Sequence, residues 1–141
     1  MNTQTYLRQI EKLDAVIKNK QERVDYLRST LLGKGIDSSK ERIKSSPQDR
    51  FSATVAEYID EEKRISELLS VLLKRRNKIV EQMEQLETKH YKVLYCRYVN
   101  LMPFKEIMDE MSVSEKTVYR FHREALSEFE QKFGKEHNFD S

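Results

Sequence analysis

The sequence predicts an all-α protein: a long N-terminal two-helix coiled-coil hairpin followed by a small C-terminal domain of three helices. Three observations support this prediction. Of the 141 residues, 38% are hydrophobic and 35% charged, a balance typical of long helices with solvated outer faces. Only 3 Gly and 2 Pro interrupt the chain, too few for the frequent turns of a β-rich fold. Apolar residues also recur at helical spacing along most of the sequence.

The first predicted helix runs from about residue 3 to residue 32. Asn2 or Thr3 supplies a capping side chain at its start, and the glycines at positions 33 and 35 favour its end. Apolar residues alternate at steps of four and three, with one polar interruption at Lys20, which is the pattern of a heptad seam. The seam consists of Tyr6, Ile10, Leu13, Ile17, Lys20, Val24, Leu27 and Leu31.

A polar connection, residues 33–46, separates this helix from a second long one. Ser46 and Pro47 predict the second helix start, because serine caps free backbone N–H groups and proline fits the first helical position. The seam of this helix is Tyr58, Ile65, Leu69, Leu72, Ile79, Met83 and Leu86, with Glu62 and Arg76 as polar turns. The two apolar stripes can pair within one chain as a hairpin or between chains as an oligomer.

We assign residues 1–88 to a helical oligomerisation region, residues 89–134 to a compact domain and residues 135–141 to a disordered tail. After Thr88 the apolar residues become denser and bulkier over a span too short for a coiled coil. Pro103 predicts that one helix ends near Asn100 and that another begins near Phe104. The last seven residues carry too few apolar side chains to order themselves.

Two short amphipathic helices with a tight connection follow Pro103. Apolar residues recur from Phe104 to Met111 and again from Val118 onward, so both helices share one core. Ser114 lies where the second helix needs a cap, and Glu115 lies at its positive end. This is the helix-turn-helix pattern, in which the start of the second helix projects into the DNA major groove.

The predicted inward face of that helix contains Val118, Phe121, Ala125 and Leu126. The residues that point outward are therefore the candidates for DNA contacts. The predicted DNA-binding residues are Ser114, Glu115, Lys116, Thr117, Tyr119, Arg120 and Arg123. Arginine and lysine donors suit guanine edges and phosphates, glutamate accepts from cytosine, and tyrosine packs on a thymine methyl group. Further candidate phosphate contacts are Lys105, His122, Lys74 and Arg75.

Several segments of residues 90–130 resemble region four of sigma factors, which is a helix-turn-helix. The run RYVN…KEI…VSEKTVYRFHREAL behind a helical coil is similar to ArpU/RinA-type transcriptional regulators of phages of Gram-positive bacteria. The resemblance implies promoter contacts at Glu115, Lys116, Tyr119 and Arg120, and a role in activating late phage genes. Ser112 stands where this family usually has glycine, and Met108 where it usually has alanine, so a positive φ at Ser112 would strain the backbone.

Other functions find less support in the residues. The net charge of +2 gives no global basic field, so any nucleic-acid site must be local. The three histidines and the single Cys96 match no metal-binding spacing, and neither a phosphate loop nor a catalytic triad pattern occurs. We therefore expect no enzyme, no cofactor and no metal. Short apolar runs and one cysteine favour a soluble cytoplasmic protein without a membrane span, and the resemblance to phage regulators implies a bacterial host cell.

The sequence thus predicts a DNA-binding transcriptional regulator that acts on double-stranded DNA and forms a homo-oligomer through its coil. One alternative is an adaptor that docks on RNA polymerase or another protein, which the weak net charge favours. A second alternative is a small terminase subunit for DNA packaging, since such subunits share the combination of a coil and a helix-turn-helix.

Overall fold

The computed structural model describes residues 1–32 and 47–137, and within them the chain is all-helical. Helix α1 spans Thr3–Leu31 and α2 spans Pro47–Glu84. The small domain contains α3 (Thr88–Leu94), a π-helical turn (Tyr95–Val99), α4 (Phe104–Met111) and α5 (Glu115–Phe133). The predicted fold class is confirmed. The connection 33–46 and the predicted cap Ser46 lie outside the described residues.

Helix α1 begins where the sequence predicts it, and Asn2 is the capping residue. Its side-chain Oδ1 accepts the backbone N–H of Thr5 at 2.8 Å, which satisfies one of the free donors of the first turn. In the described part of the chain no helix is both long enough and apolar enough to cross a bilayer.

Helices α1 and α2 form an antiparallel hairpin, and their residues fall into two compact units. We call residues 15–73 the middle unit, and Met1–Asp14 with Lys74–Ser141 the terminal unit. These divisions differ from the predicted boundary at 88/89, because the first turns of α1 pack with the end of α2 and the small domain. Inside the terminal unit, Tyr6 bonds to Gln82 and Asp14 pairs with Arg76, which gives the antiparallel order.

The middle unit contains two polar positions of the seams, Lys20 and Glu62. Val24, Leu27 and Leu69 are buried there. Arg23 makes a two-point contact with Glu61, with its Nε and Nη2 at 2.8 and 3.1 Å from the two carboxylate oxygens. Arg28 Nε lies 2.8 Å from an oxygen of Glu62, so this polar seam position is satisfied by a charge on the facing helix.

The core of the terminal unit combines α1, the end of α2 and the small domain. Its largest fully buried side chains include Phe129, Leu7, Ile10, Ile79, Met83, Leu94 and Ile107. Helix α5 packs on both α3 and α4. Leu7 is fully buried although the heptad seam does not include it, because the small domain covers a second face of α1.

The segment after α5 continues in contact with the terminal unit. Lys78 Nζ lies 2.9 Å from a carboxylate oxygen of Glu136, and the His137 ring stacks on Tyr6 with centroids 4.2 Å apart. Gln82 Nε2 lies 2.8 Å from His137 Nε2. These contacts lie within the predicted tail, whose residues 138–141 are outside the described part.

The connection between α3 and α4 is held by two backbone bonds to the π-helical turn. The N–H of Asn100 donates to the Tyr95 carbonyl and that of Met102 to the Cys96 carbonyl, both at 3.0 Å. Leu101 has φ 55°, which turns the chain sharply before Pro103. Pro103 adopts an extended conformation and α4 begins at the next residue, as the sequence predicts.

Candidate nucleic-acid interface

The turn between α4 and α5 is built on a left-handed serine. Ser112 has φ 55° and ψ 48°, the conformation that related turns reach with glycine. The N–H of Val113 donates to the Met108 carbonyl at 3.0 Å, which closes the end of α4. Left-handed backbone costs a non-glycine residue about 1–2 kcal/mol, so the strain anticipated from the sequence is present.

Ser114 caps α5 as predicted. Its Oγ accepts the backbone N–H of Thr117 at 3.2 Å and donates to the Thr117 hydroxyl at 3.0 Å. Glu115 adds a negative charge in the first turn of the helix. The cap fixes where the helix begins and therefore which side chains its first two turns present.

The exposed face of α5 contains the predicted base-reading residues. Glu115, Lys116, Tyr119, Arg120 and Arg123 are all exposed, and Ser114 at the helix start is exposed as well. On the opposite face Val118 and Ala125 are buried, whereas Phe121 and Leu126 are half-buried. Thr117 is half-buried, and its hydroxyl accepts a hydrogen bond from the cap residue Ser114. The outward orientation predicted for the five side chains is confirmed.

Tyr119 is held by an aromatic neighbour although it is 41% exposed. Its ring centroid lies 4.8 Å from that of Phe104, the first residue of α4. The guanidinium carbon of Arg97 lies 4.2 Å from the Phe104 centroid on a cation–π contact, and Arg97 Nη1 donates to the Met102 carbonyl. This series of contacts orients Tyr119 without burying it.

The Arg120 side chain is only weakly held by its neighbours. Its Nε lies 3.5 Å from an oxygen of Glu124 one turn later, and its guanidinium carbon lies 5.5 Å from the Phe121 centroid. Both Arg120 and Glu124 are substantially exposed, so this pair contributes little to stability. An incoming anion or base edge can therefore replace the carboxylate at small cost.

The structure contradicts the predicted phosphate contact at His122. The sequence places it on the outer face, but its side chain is buried at 7% exposure. Its Nε2 lies 2.9 Å from the Tyr98 hydroxyl, and its ring packs edge-on against Phe104. Burial, with the nearby charges of Arg97 and Arg8, lowers the pKa of His122 to about 4, so the ring is neutral at pH 7. A neutral buried imidazole cannot serve as a phosphate contact.

The other candidate phosphate contacts remain accessible. Lys105 is exposed in the first turn of α4, and Lys74 and Arg75 are exposed on α2. None of the three forms an ion pair with another described residue.

A buried histidine of α3, which the sequence does not predict as a functional residue, holds α5 against α3. His90 is 6% exposed, and its Nδ1 lies 2.7 Å from Glu128 Oε1, which also accepts the N–H of Glu87. Burial alone would raise the pKa of Glu128. Hydrogen bonds from His90, the Glu87 N–H and Lys132, with the charge of Lys132, outweigh burial and lower the pKa below its ordinary value. His90 and Glu128 lie 38 residues apart on separate helices, so no regular spacing in the sequence indicates this contact.

An open cleft of about 750 Å³ lies between α3 and the turn of the helix-turn-helix. Its wall includes the apolar residues Tyr91, Tyr95, Met111, Val113 and Phe121. Cys96 lies at this wall, and burial, followed by the charge of Glu110, raises the pKa of its thiol. The thiol is therefore a poor nucleophile.

The fold and the exposed face define an all-helical protein with a helix-turn-helix behind a long hairpin. Comparison with protein families gives a match over residues 45–130 to the family described as protein of unknown function, DUF1492. The chain belongs to this family. The matched region spans α2, α3, α4 and most of α5, and it includes the whole exposed face from Ser114 to Arg123. Neither the curated proteins nor the solved structures compared with this chain contain a match.

Proposed function

We propose that this protein is a sequence-specific transcriptional regulator that reads double-stranded DNA through the start of α5. The observation that carries the proposal is the exposed face of α5, where Lys116, Tyr119, Arg120 and Arg123 project from a capped and braced helix. A major groove about 12 Å wide accepts such a helix, and the first residues of the helix then lie nearest the base edges.

The side chains of this face suit the recognition of base edges better than binding without sequence preference. Arg120 has a forked donor that fits the two acceptors of guanine, and its internal partner Glu124 is weakly held. Tyr119 has a fixed ring, which loses little conformational entropy when it packs on a thymine methyl group. Glu115 is the one acidic member of the predicted set and suits cytosine as an acceptor.

The resemblance to ArpU/RinA-type regulators refines the proposal to a phage or prophage late-gene activator in the bacterial cytoplasm. The hairpin of α1 and α2 would supply the homo-oligomer, which places two recognition helices at a defined spacing on DNA. We propose no catalytic activity and no cofactor for this protein.

The proposal is tested by footprinting the purified protein on the genomic DNA that surrounds its own gene. A protected site is expected, and Arg120→Ala should weaken binding to it by roughly 1–3 kcal/mol if Arg120 makes a bidentate base contact. Arg64→Ala is the matched control, because Arg64 is an exposed arginine of the middle unit and not part of the helix-turn-helix. If no site is protected, or if Arg120→Ala binds unchanged, the proposed mechanism is wrong.

The second candidate function is an adaptor that docks on RNA polymerase or another protein. The cleft between α3 and the turn favours it, because its aromatic and methionine wall is suited to an apolar partner. Gel shifts at increasing salt separate the two functions: binding to phosphates must weaken steeply with salt, whereas apolar docking need not.

A further inference from the structure

Two arginines line a small polar cleft, and one of them, Arg97, also contacts Phe104. The cleft has a volume of about 280 Å³ and is lined by Arg8, Glu11, Arg97, Tyr98 and Leu101. All five residues belong to the terminal unit. Arg8 comes from α1 and Arg97 from the π-helical turn, so two separate elements bring their positive charges together.

Neither arginine is neutralised by the protein. Arg8 and Arg97 form no ion pair with any described residue, although the carboxylate of Glu11 lines the same cleft. Arg97 is held in position by its stacking on Phe104 and by its bond to the Met102 carbonyl. Two unpaired guanidinium groups beside each other repel, and an anion between them would remove that cost.

The buried neighbours of the cleft respond to this positive potential. The charges of Arg97 and Arg8 add to burial in lowering the pKa of His122. The same two charges oppose the rise that burial imposes on the pKa of Tyr98. Both arginines therefore act on the same two buried side chains, in agreement with their shared position at the wall of the cleft.

We propose that the cleft between Arg8 and Arg97 binds a phosphate group. Guanidinium groups bind the oxygens of phosphate through paired N–H donors, and a site with two of them suits a single oxyanion. The phosphate would come from the DNA backbone, since Arg97, Phe104 and Tyr119 form a continuous series of contacts from the cleft to the exposed face of α5. This assignment of the source rests on the proposed function. It extends the DNA contact to α1, outside the region of the family match.

The first arm of the test uses DNA. Arg8→Gln should reduce the slope of log affinity against log salt concentration by about 0.9, the value for one lost phosphate contact. Glu11→Gln should bind DNA more tightly, because it removes a competing carboxylate. Lys18→Gln is the matched control, since Lys18 is an exposed cation of α1 that belongs to the middle unit.

The second arm uses inorganic phosphate alone and distinguishes a free anion from DNA. Phosphate should raise the Tm of the unsubstituted protein above its value in chloride of equal ionic strength, and Arg8→Gln should abolish the difference. Loss of this effect together with an unchanged DNA slope would assign the site to a free phosphate compound. If Arg8→Gln changes neither measurement, the proposed site does not exist. If the protein binds no DNA at all, the proposed function fails and the phosphate arm alone decides the site.

Discussion

The Tyr98 hydroxyl and His122 Nε2 lie 2.9 Å apart inside the terminal unit, where both side chains are buried. This bond joins the π-helical turn to the middle of α5, directly beneath the proposed DNA-reading face. The hydroxyl can both donate and accept, so it pairs with either tautomer of the neutral imidazole.

Removing the Tyr98 hydroxyl should destabilise the protein. Tyr98→Phe leaves the ring in place but deprives buried His122 Nε2 of its hydrogen-bond partner, at an expected cost of about 1–3 kcal/mol in the free energy of unfolding. Urea denaturation measures the change. The double variant Tyr98→Phe with His122→Phe should lose less than the sum of the two single losses, and additivity would show that the bond contributes nothing.

Acid should destabilise the protein through His122. Its pKa is about 4 in the folded state against an ordinary value of 6.5, so the unfolded chain binds more protons between these values. The contribution is therefore complete above pH 6.5 and is lost as the pH falls towards 4. The shift corresponds to a loss on the order of 3 kcal/mol.

Thermal or urea unfolding from pH 7 to pH 4 tests this dependence. His122→Gln should show a shallower fall over the same range, because it lacks the buried imidazole that takes up a proton on unfolding. Equal slopes for the two proteins would remove His122 as the cause.

The turn before α5 should respond in opposite directions to two serine substitutions. Ser112→Gly relieves the left-handed strain and should raise the free energy of unfolding by roughly 0.5–1 kcal/mol. Ser114→Ala removes the cap bond to Thr117 and should lower it by about 0.5–2 kcal/mol. Denaturant melts of the two variants provide the measurement, and a loss of stability in Ser112→Gly would contradict the strain.

Phe104 should matter for binding beyond its role in packing. Phe104→Leu keeps an apolar side chain in the half-buried site but removes the ring that Tyr119 and Arg97 contact. We expect weaker binding to the protected DNA site, with the helical content of the protein retained by circular dichroism. Met111→Leu is the control, since it changes a half-buried apolar side chain at the other end of α4. Equal binding by Phe104→Leu and the control would show that the aromatic contact does not position Tyr119.

The order of the helices and their ends could be predicted because local signals determine them. Asn2, Pro47, Pro103 and Ser114 act within one turn of their own positions, and the apolar repeat distinguishes the buried face of each helix. The polar seam residues Glu62 and Arg76 were expected as interruptions, and the facing charges Arg28 and Asp14 explain how they are accommodated.

What could not be predicted depends on contacts between residues far apart in the chain. His122 follows half-buried Phe121 in a polar stretch, and only the packing of Tyr98 and Phe104 reveals that it is buried. The pairing of His90 with Glu128 and the meeting of Arg8 with Arg97 likewise require the folded arrangement. The exposure of the α5 face could be predicted, but its bracing could not.

The contact between Tyr6 and Phe129, with ring centroids 5.7 Å apart, limits how this protein can be divided or recombined. If α5 were moved to a new scaffold by a cut at residue 88, it would leave behind an aromatic side chain that helps to cover its core. Recombination in evolution or in the laboratory would therefore preserve α5 best when the opening turns of α1 travel with it.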